Sequence, residues 1–376
     1  MIKDFDVIVV GAGISGATIA ERYANLLEKK VLVIDKRNHI GGNCYDFYNK
    51  DKILVPLYGP HFFHANDNEV INYVSKFTTW RPYQHRVLAY VEGRLVPVPV
   101  NINTINILFK EKIKNKREME RWLKKERIKI KNPKNSEEVA LSQVGKRIYQ
   151  KIFENYTFKQ WEKRPISLDK EVLLRIPVRK NFDDRYFSDK FQAMPRNGYT
   201  EIFKNMLNHR KIKVFLNTSW NRIKAKVNEK KQKIFFTGPI DHFFDHIEGT
   251  LEYRSLKFEY QTLNLEYFQP RAQINYPEKN FPWTRIIEPK HATGQKHKKT
   301  TIIYEYPKSK GEPFYPIPDD RNRSLYAKYQ RISSKLEKDN IYFVGRLANY
   351  KYFNMDAAFK NALNFFYRIE KIKRKI

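Results

Sequence analysis

The stretch that most constrains this chain is its first 43 residues. Asp6-Val7-Ile8-Val9-Val10 reads as a buried strand, and Gly11-Ala12-Gly13-Ile14-Ser15-Gly16 follows at once. Residues 17–27 can continue as a helix, and Lys30–Ile34 reads as a second buried strand that ends at Asp35. A glycine-rich turn set between a strand and a helix in this way is a dinucleotide-binding fingerprint. Gly11 makes the tight turn, Gly13 lets backbone approach a pyrophosphate, and Gly16 lets helix and strand pack closely. The N–H groups at the helix start face the anion. Asp35 stands where a carboxylate can bond a ribose hydroxyl, and its charge argues against a 2′-phosphate and so against NADP. A strand, a helix, a second strand and a terminal acid together favour a nucleotide site over a purely structural unit.

The residues after Asp35 narrow the cofactor. Arg37-Asn38-His39-Ile40-Gly41-Gly42-Asn43 places a second glycine turn directly after the acidic strand. FAD proteins of the glutathione-reductase type resemble this, and NAD dehydrogenases generally lack it, so FAD is favoured.

A length of 376 residues allows two or three lobes, and 41% hydrophobic with 15% aromatic residues describes a globular chain. No apolar run reaches the ~18 residues that span a bilayer. With the fingerprint starting at Asp6, no signal peptide is expected. The single cysteine, Cys44, excludes an internal disulfide and a cysteine-based zinc site, so a reducing, cytoplasmic setting is expected. The formal charge of +31 invites a nucleic-acid reading, but lysines occur in nearly every segment rather than along one face. No specific nucleic acid is therefore expected; the positive field suits capture of an anionic substrate.

Further along, His61 and His64 flank two phenylalanines after the Gly59-Pro60 turn. With no third ligand nearby, pocket lining or core packing is expected there, and no metal. Val87–Val100 alternates about Gly93 as a hairpin, with Pro97 and Pro99 marking an edge. Residues 103–175 read as mostly helical. Lys110–Lys131 is expected to form a solvated charged helix, and Ser136 is expected to cap the next one. Tyr149, Phe153, Tyr156 and Trp161 are spaced along one helical face with Asn155, Thr157 and Gln160 between them, which fits a core stripe or a pocket wall. Strands are expected at 214–217, 233–239, 251–258, 271–276, 283–288, 300–306 and 341–346. An amphipathic helix follows from Asp356, with Phe359, Leu363, Phe366 and Ile369 on one stripe.

Taken together, VGAGISGATIA, DKRNHIGGNCYD, LYGPHFFH, NYTFKQW, LRIPVRKNFDDRYF, FQAMPRNGYT, TGPIDHFF, LEYRSLKFE, PWTRIIE, EPFYPI and VGRLANYKYFNMD run colinearly over almost the whole chain. In them the chain resembles the UDP-galactopyranose mutases, bacterial type. The resemblance implies an α/β fold: a Rossmann-like FAD-binding domain (1–75, 200–245, 335–376), a helical insertion (103–175) and an antiparallel β-sheet domain (76–102, 176–199, 246–334). It implies an isomerase that interconverts UDP-galactopyranose and UDP-galactofuranose and supplies galactofuranose for cell-surface glycans. The reaction it implies passes through a covalent adduct between N5 of reduced FAD and sugar C1. It also implies an external reductant, no membrane span and a homodimer.

By the same resemblance, Arg175 and Arg285 clamp the diphosphate and His61 lies beside the flavin; these three are the expected catalytic residues. Phe153 and Tyr156 stack uracil, Trp161 lines the sugar pocket, Thr157 is a further substrate-binding residue, and Tyr186, Tyr315 and Tyr352 assist the phosphates. His85 completes the expected substrate set. Gly11, Gly13, Ser15, Gly16, Asp35, Lys36, Gly42, Asn43, Tyr58, Gly59, Gly238, Gly345, Arg346, Asn354 and Met355 are expected around FAD. The chain departs from the family pattern at Asn354, where aspartate is frequent, at Pro289, where histidine is usual, and at Phe314, where a second tyrosine is common. An amine-oxidase-like FAD oxidoreductase is the alternative, and a non-enzymatic basic binding protein rests on charge alone.

Overall fold

Four short strands carry apolar residues on both faces, which requires that both faces be covered. In the computed structural model, which describes residues 2–372, they lie in a five-stranded parallel sheet. Its order is Ile212–Phe215, Val31–Ile34, Val7–Val10, Lys233–Phe236 and Ile341–Phe343. Val7 and Val9 point into one core with the helices Ile14–Leu26, Tyr199–Leu207 and Met355–Glu370, while Ile8 points into another with Phe236, Phe343 and Tyr329. Each such side chain contributes about 1.5–3 kcal/mol by leaving water. Because every strand runs the same way, their C-terminal ends collect at one edge of the sheet, where ligands bind in open α/β folds. Gly11, Asp35, Thr237 and Val344 follow those ends. Residue 1 and residues 373–376 of the expected FAD-binding spans lie outside the described residues.

The second sheet has seven strands in the order Tyr315–Pro316, Tyr253–Leu263, Thr300–Lys308, Arg285–Ile287, Gln273–Asn275, Val87–Val91 and Arg94–Val98. It is antiparallel except where Gln273–Asn275 runs parallel to Val87–Ala89. The hairpin turns through Glu92 (φ 50) and Gly93 (φ 76), both left-handed as a tight primed turn requires. Pro97 lies on the edge strand, where its missing N–H costs no ladder bond. Two short segments expected in this sheet domain, Trp80–Pro82 and Phe191–Pro195, instead join Phe63–Ala65 in a separate three-stranded sheet.

The helical region packs Met119, Trp122, Leu123, Val139, Val144 and Ile148 into one core with Val87, Ala89, Val91, Val96 and Val98 of the hairpin. Two sequence expectations change there. The charged helix covers only Lys116–Glu126, capped by Asn115, and its Met119-Trp122-Leu123 stripe is buried, so it is amphipathic rather than solvated all round. The following helix is capped by Asn135, whose side chain accepts the Glu138 N–H at 2.9 Å. Ser136 is buried at its first position and donates to the Asp169 carbonyl at 2.6 Å. The departure at Pro289 is benign, because it opens the helix Pro289–Thr293, where a missing N–H is harmless. Phe314 is buried beside Phe258, with ring centroids 6.0 Å apart, an apolar place for a ring without a hydroxyl.

Gly145 sits at φ +78, and a Cβ there would stand 2.1 Å from the Glu126 carbonyl oxygen. Gly145→Ala is therefore expected to destabilise the fold by roughly 2–3 kcal/mol in urea unfolding. Gly93→Asn, where a Cβ meets nothing within 4 Å, should change it little.

Candidate active site

The cofactor end is built by backbone contacts that only glycine permits. A Cβ on Gly16 would fall 1.8 Å from the Gly11 carbonyl oxygen, and one on Gly11 (φ +111) would fall 2.1 Å from Thr237 Oγ1. A Cβ on Gly42 would lie 2.9 Å from Gly13 Cα, and one on Gly345 would lie 2.6 Å from Ser15 Oγ. Three separated turns thus converge on the start of the helix Ile14–Leu26, whose N-terminus has no side-chain cap. Uncapped N–H groups in a glycine cradle fit the pyrophosphate of a dinucleotide. Thr237, which the sequence reading did not assign, closes the cradle; its place directly before Gly238, at the end of a buried strand, was the available signal.

Asp35, at the end of the second strand, also braces the backbone around the cradle. Its Oδ2 accepts the Ala12 N–H at 2.8 Å and its Oδ1 accepts the Arg37 N–H at 2.9 Å, so the carboxylate braces the glycine loop. Lys36 turns to solvent in an ion pair with Glu312 at 2.8 Å. Asn43 and Tyr58 are joined through Arg37 instead: its guanidinium donates to Asn43 Oδ1 at 3.0 Å and lies 4.2 Å from the Tyr58 ring centre. Tyr58 meets His39 Nε2 at 2.7 Å. Gly59 takes φ +82, where a Cβ would press on the Phe258 ring at 2.9 Å, and Gly238 lies against the Phe236 ring.

Beyond this cradle opens a cavity of about 490 Å³. Arg175, Arg285 and His61 line it, as do Phe153, Tyr156, Thr157, Trp161, Tyr186, Tyr315, Tyr352 and His85. Arg346, Asn354 and Met355 line it from the last strand and helix.

Three guanidiniums therefore share one cavity. Arg285 is anchored by buried Glu305, with Nη2 to Oε2 at 2.7 Å, and Thr284 donates to the other carboxylate oxygen at 3.3 Å. Burial weakens a guanidinium's hold on its proton, but Glu305 more than offsets this and raises the Arg285 pKa. Glu305 was not identified from the sequence, since an acid inside a strand carries no motif. Arg175 is exposed, donates from Nε to the Val172 carbonyl at 3.3 Å, and lies 4.7 Å from the Tyr352 ring centre. Burial raises the Tyr352 phenol, but Arg175 and Arg346 outweigh it and bring the pKa below the usual tyrosine value. Arg346 stands over Tyr315 and Tyr352, at 5.7 Å and 5.2 Å.

The aromatic wall comes from the helix Asn155–Trp161 and the wide π turn Tyr149–Glu154 before it. Tyr149 stays in the helical core while Phe153, Tyr156 and Trp161 reach the cavity, so the stripe is part core and part wall. On the other side of that helix, Lys159 Nζ donates to the carbonyls of Glu278 at 3.0 Å, Phe281 at 3.1 Å and Trp283 at 3.0 Å, and to that of Tyr276. It thereby fixes the loop that leads into Arg285; burial pulls its pKa down to about 8.

Burial, with Arg346 adding repulsion, pushes His61 down to about 4, and burial with Arg285 pushes His85 down to about 3. His64, also on the cavity wall, bonds Asp189 through Nδ1 at 2.9 Å. Asp241, His242 and His246 bring three ligand-type atoms within 4.8 Å of one another, but none lines the cavity. Among the described residues no helix is long and apolar enough to cross a membrane.

Comparison with known proteins adds independent observations. A family described as UDP-galactopyranose mutase matches residues 151–352, and an NAD(P)-binding Rossmann-like domain matches residues 9–77. A protein of Escherichia coli named dTDP-fucopyranose mutase is 39% identical over 95% of this chain and 96% of its own. A probable UDP-galactopyranose mutase of Klebsiella pneumoniae is 37% identical over 95% of this chain and 93% of its own. A crystal structure of reduced UDP-galactopyranose mutase has the same fold, with a TM-score of 0.76 at 16% identity, covering 98% of this chain and 94% of that one. The amine-oxidase alternative is a distant relation: flavin-containing amine oxidase A of Equus caballus matches 25% of this chain.

The buried histidines predict an acid-labile fold. The unfolded chain takes up protons near pH 6.5 while folded His61 and His85 stay neutral down to about 4 and about 3, so stability is present above 6.5 and is lost as pH falls. The Tm should decline from pH 7 to pH 4, and His85→Gln should flatten that decline.

Proposed function

The chain belongs to the UDP-galactopyranose mutase family, and from that membership we propose that it interconverts the pyranose and furanose forms of UDP-galactose on reduced FAD. The observation that carries this reading is the single cavity in which Arg175, Arg285 and Arg346 meet four tyrosines beside a glycine-built dinucleotide cradle. When bound and reduced, the flavin supplies the nucleophile for the anomeric carbon and undergoes no net redox change. An external reductant keeps it active.

The chain's own residues bind, orient and neutralise. Arg175 and Arg285 take the diphosphate as UDP departs, each guanidinium presenting a planar, permanently charged fork. Glu305 fixes one edge of Arg285, so its position does not depend on the ligand. The Tyr186, Tyr315 and Tyr352 hydroxyls add donors to the phosphates. Phe153 and Tyr156 offer faces to the base, and Trp161, Thr157 and His85 border the sugar. Asn354 precedes the helix Met355–Glu370 and offers no side-chain cap, leaving the helix start facing the flavin side.

A second reading has a specific observation behind it. The 39%-identical Escherichia coli relative is named for dTDP-fucopyranose, a thymidine-linked 6-deoxy sugar. UDP-galactose, UDP-N-acetylgalactosamine and dTDP-fucose should be compared under dithionite by product chromatography. UDP-galactofuranose, formed only after reduction, is the expected product. Turnover of dTDP-fucose with none of UDP-galactose would establish the second reading instead. Arg285→Ala should lower turnover by about 10³-fold while the yellow colour of bound flavin is retained.

A further inference from the structure

Resting on the mutase reading, we propose that His64 is a catalytic residue that carries the proton traded between the two ring oxygens, and that Asp189 is its positioning residue. The chemistry requires such a carrier. In the six-membered ring C1 is bonded to O5 and O4 bears the hydrogen; in the five-membered ring these are exchanged. Conversion breaks C1–O5, whose electron pair stays on O5, and forms C1–O4 from an O4 lone pair. O5 gains one proton and O4 loses one, with no net oxidation and no net proton. One ring nitrogen can give the first and take back the second.

Three histidines line the cavity, and the structure separates them. His61 Nδ1 meets the Gly59 carbonyl at 3.1 Å and His85 Nδ1 meets the Tyr83 hydroxyl at 3.3 Å, so among the described residues neither has an anion to stabilise its charged form, and burial keeps both neutral. His64 alone of the three pairs with a carboxylate. Its Nδ1 lies 2.9 Å from Asp189 Oδ2, and Asp189 Oδ1 is held in turn by Asn66 Nδ2 at 2.9 Å. The ring is stacked on Phe187 at 3.7 Å and 15°, so it cannot swing away. Nε2 has no protein partner among the described residues. A carboxylate on one nitrogen fixes the tautomer and presents the other nitrogen for proton transfer. The charged and titratable groups around the ring are Asp189, Asp356 and His85.

The test uses dithionite-reduced holoenzyme and UDP-galactose carrying ¹⁸O in the bond between C1 and the β-phosphate. Departure and return of UDP scrambles the label without any ring change, so it reports the step before His64 acts. His64→Gln should lower turnover at least ~100-fold, with label scrambling, flavin content and UDP affinity retained. Asp189→Asn should lower turnover less and displace the acid limb of its pH profile. In ¹⁵N spectra of oxidised holoenzyme, neutral His64 should carry its proton on Nδ1. Turnover of His64→Gln close to wild type, scrambling that falls in step with turnover, or an Nε2-protonated ring would each overturn the role of His64 and leave the mutase reading standing. A wild-type enzyme that neither scrambles the label nor forms product would overturn both.

Discussion

A guanidinium in a half-closed cavity needs a fixed counter-charge, and the Arg285–Glu305 pair supplies it. Desolvating the two ions costs several kcal/mol each, and removing one partner of such a pair typically costs about 3–5 kcal/mol. Good geometry and the Thr284 hydroxyl offset that cost here. The pair is close to neutral, so the net positive charge of the resting cavity falls to Arg175 and Arg346. The cavity thus holds two guanidiniums bonded to backbone carbonyls and one aimed by a carboxylate. Pre-aiming is what electrostatic stabilisation of a leaving group needs, because nothing has to reorganise when charge develops.

The cofactor end depends on a different constraint, the absence of Cβ atoms. Gly13 against Gly42, Gly16 against Gly11 and Gly345 against Ser15 bring three chain segments to one helix start. Each contact is useless alone; together they leave a hollow lined by backbone N–H groups. That the sheet is parallel explains why these turns share one edge, and that the large second sheet carries Tyr315 on its edge strand and Arg285 at the start of its middle strand explains how the cavity reaches across to it.

Much of this was legible in the chain itself. The first βαβ unit, the late strands returning to the same sheet and the hairpin at Gly93 all followed from hydrophobic pattern and glycine placement. The cavity residues came from long colinear motifs, and the structure gathers Arg175, Arg285 and the tyrosines around one space. What the pattern concealed were partnerships. Asp35 has a ribose-binding position in sequence, and nothing there announced that its oxygens also close the glycine loop. Lys36 lies beside it and points to solvent. Glu305 and Lys159 are ordinary charged residues in sequence, and only their buried partners give them meaning. Ser136 lost its capping role to Asn135 because the two polar residues are adjacent and the pattern favours neither.

Lys159 carries a last implication. Its ammonium group ties the helix bearing Tyr156 to the loop entering Arg285, through four carbonyl oxygens. The Tyr156 ring and the Arg285 fork are thus braced against each other through one ammonium group. Arg175 stands on the exposed chain opposite. A change at Lys159 would therefore reach Tyr156 and Arg285 together and leave Arg175, on its separate segment, untouched.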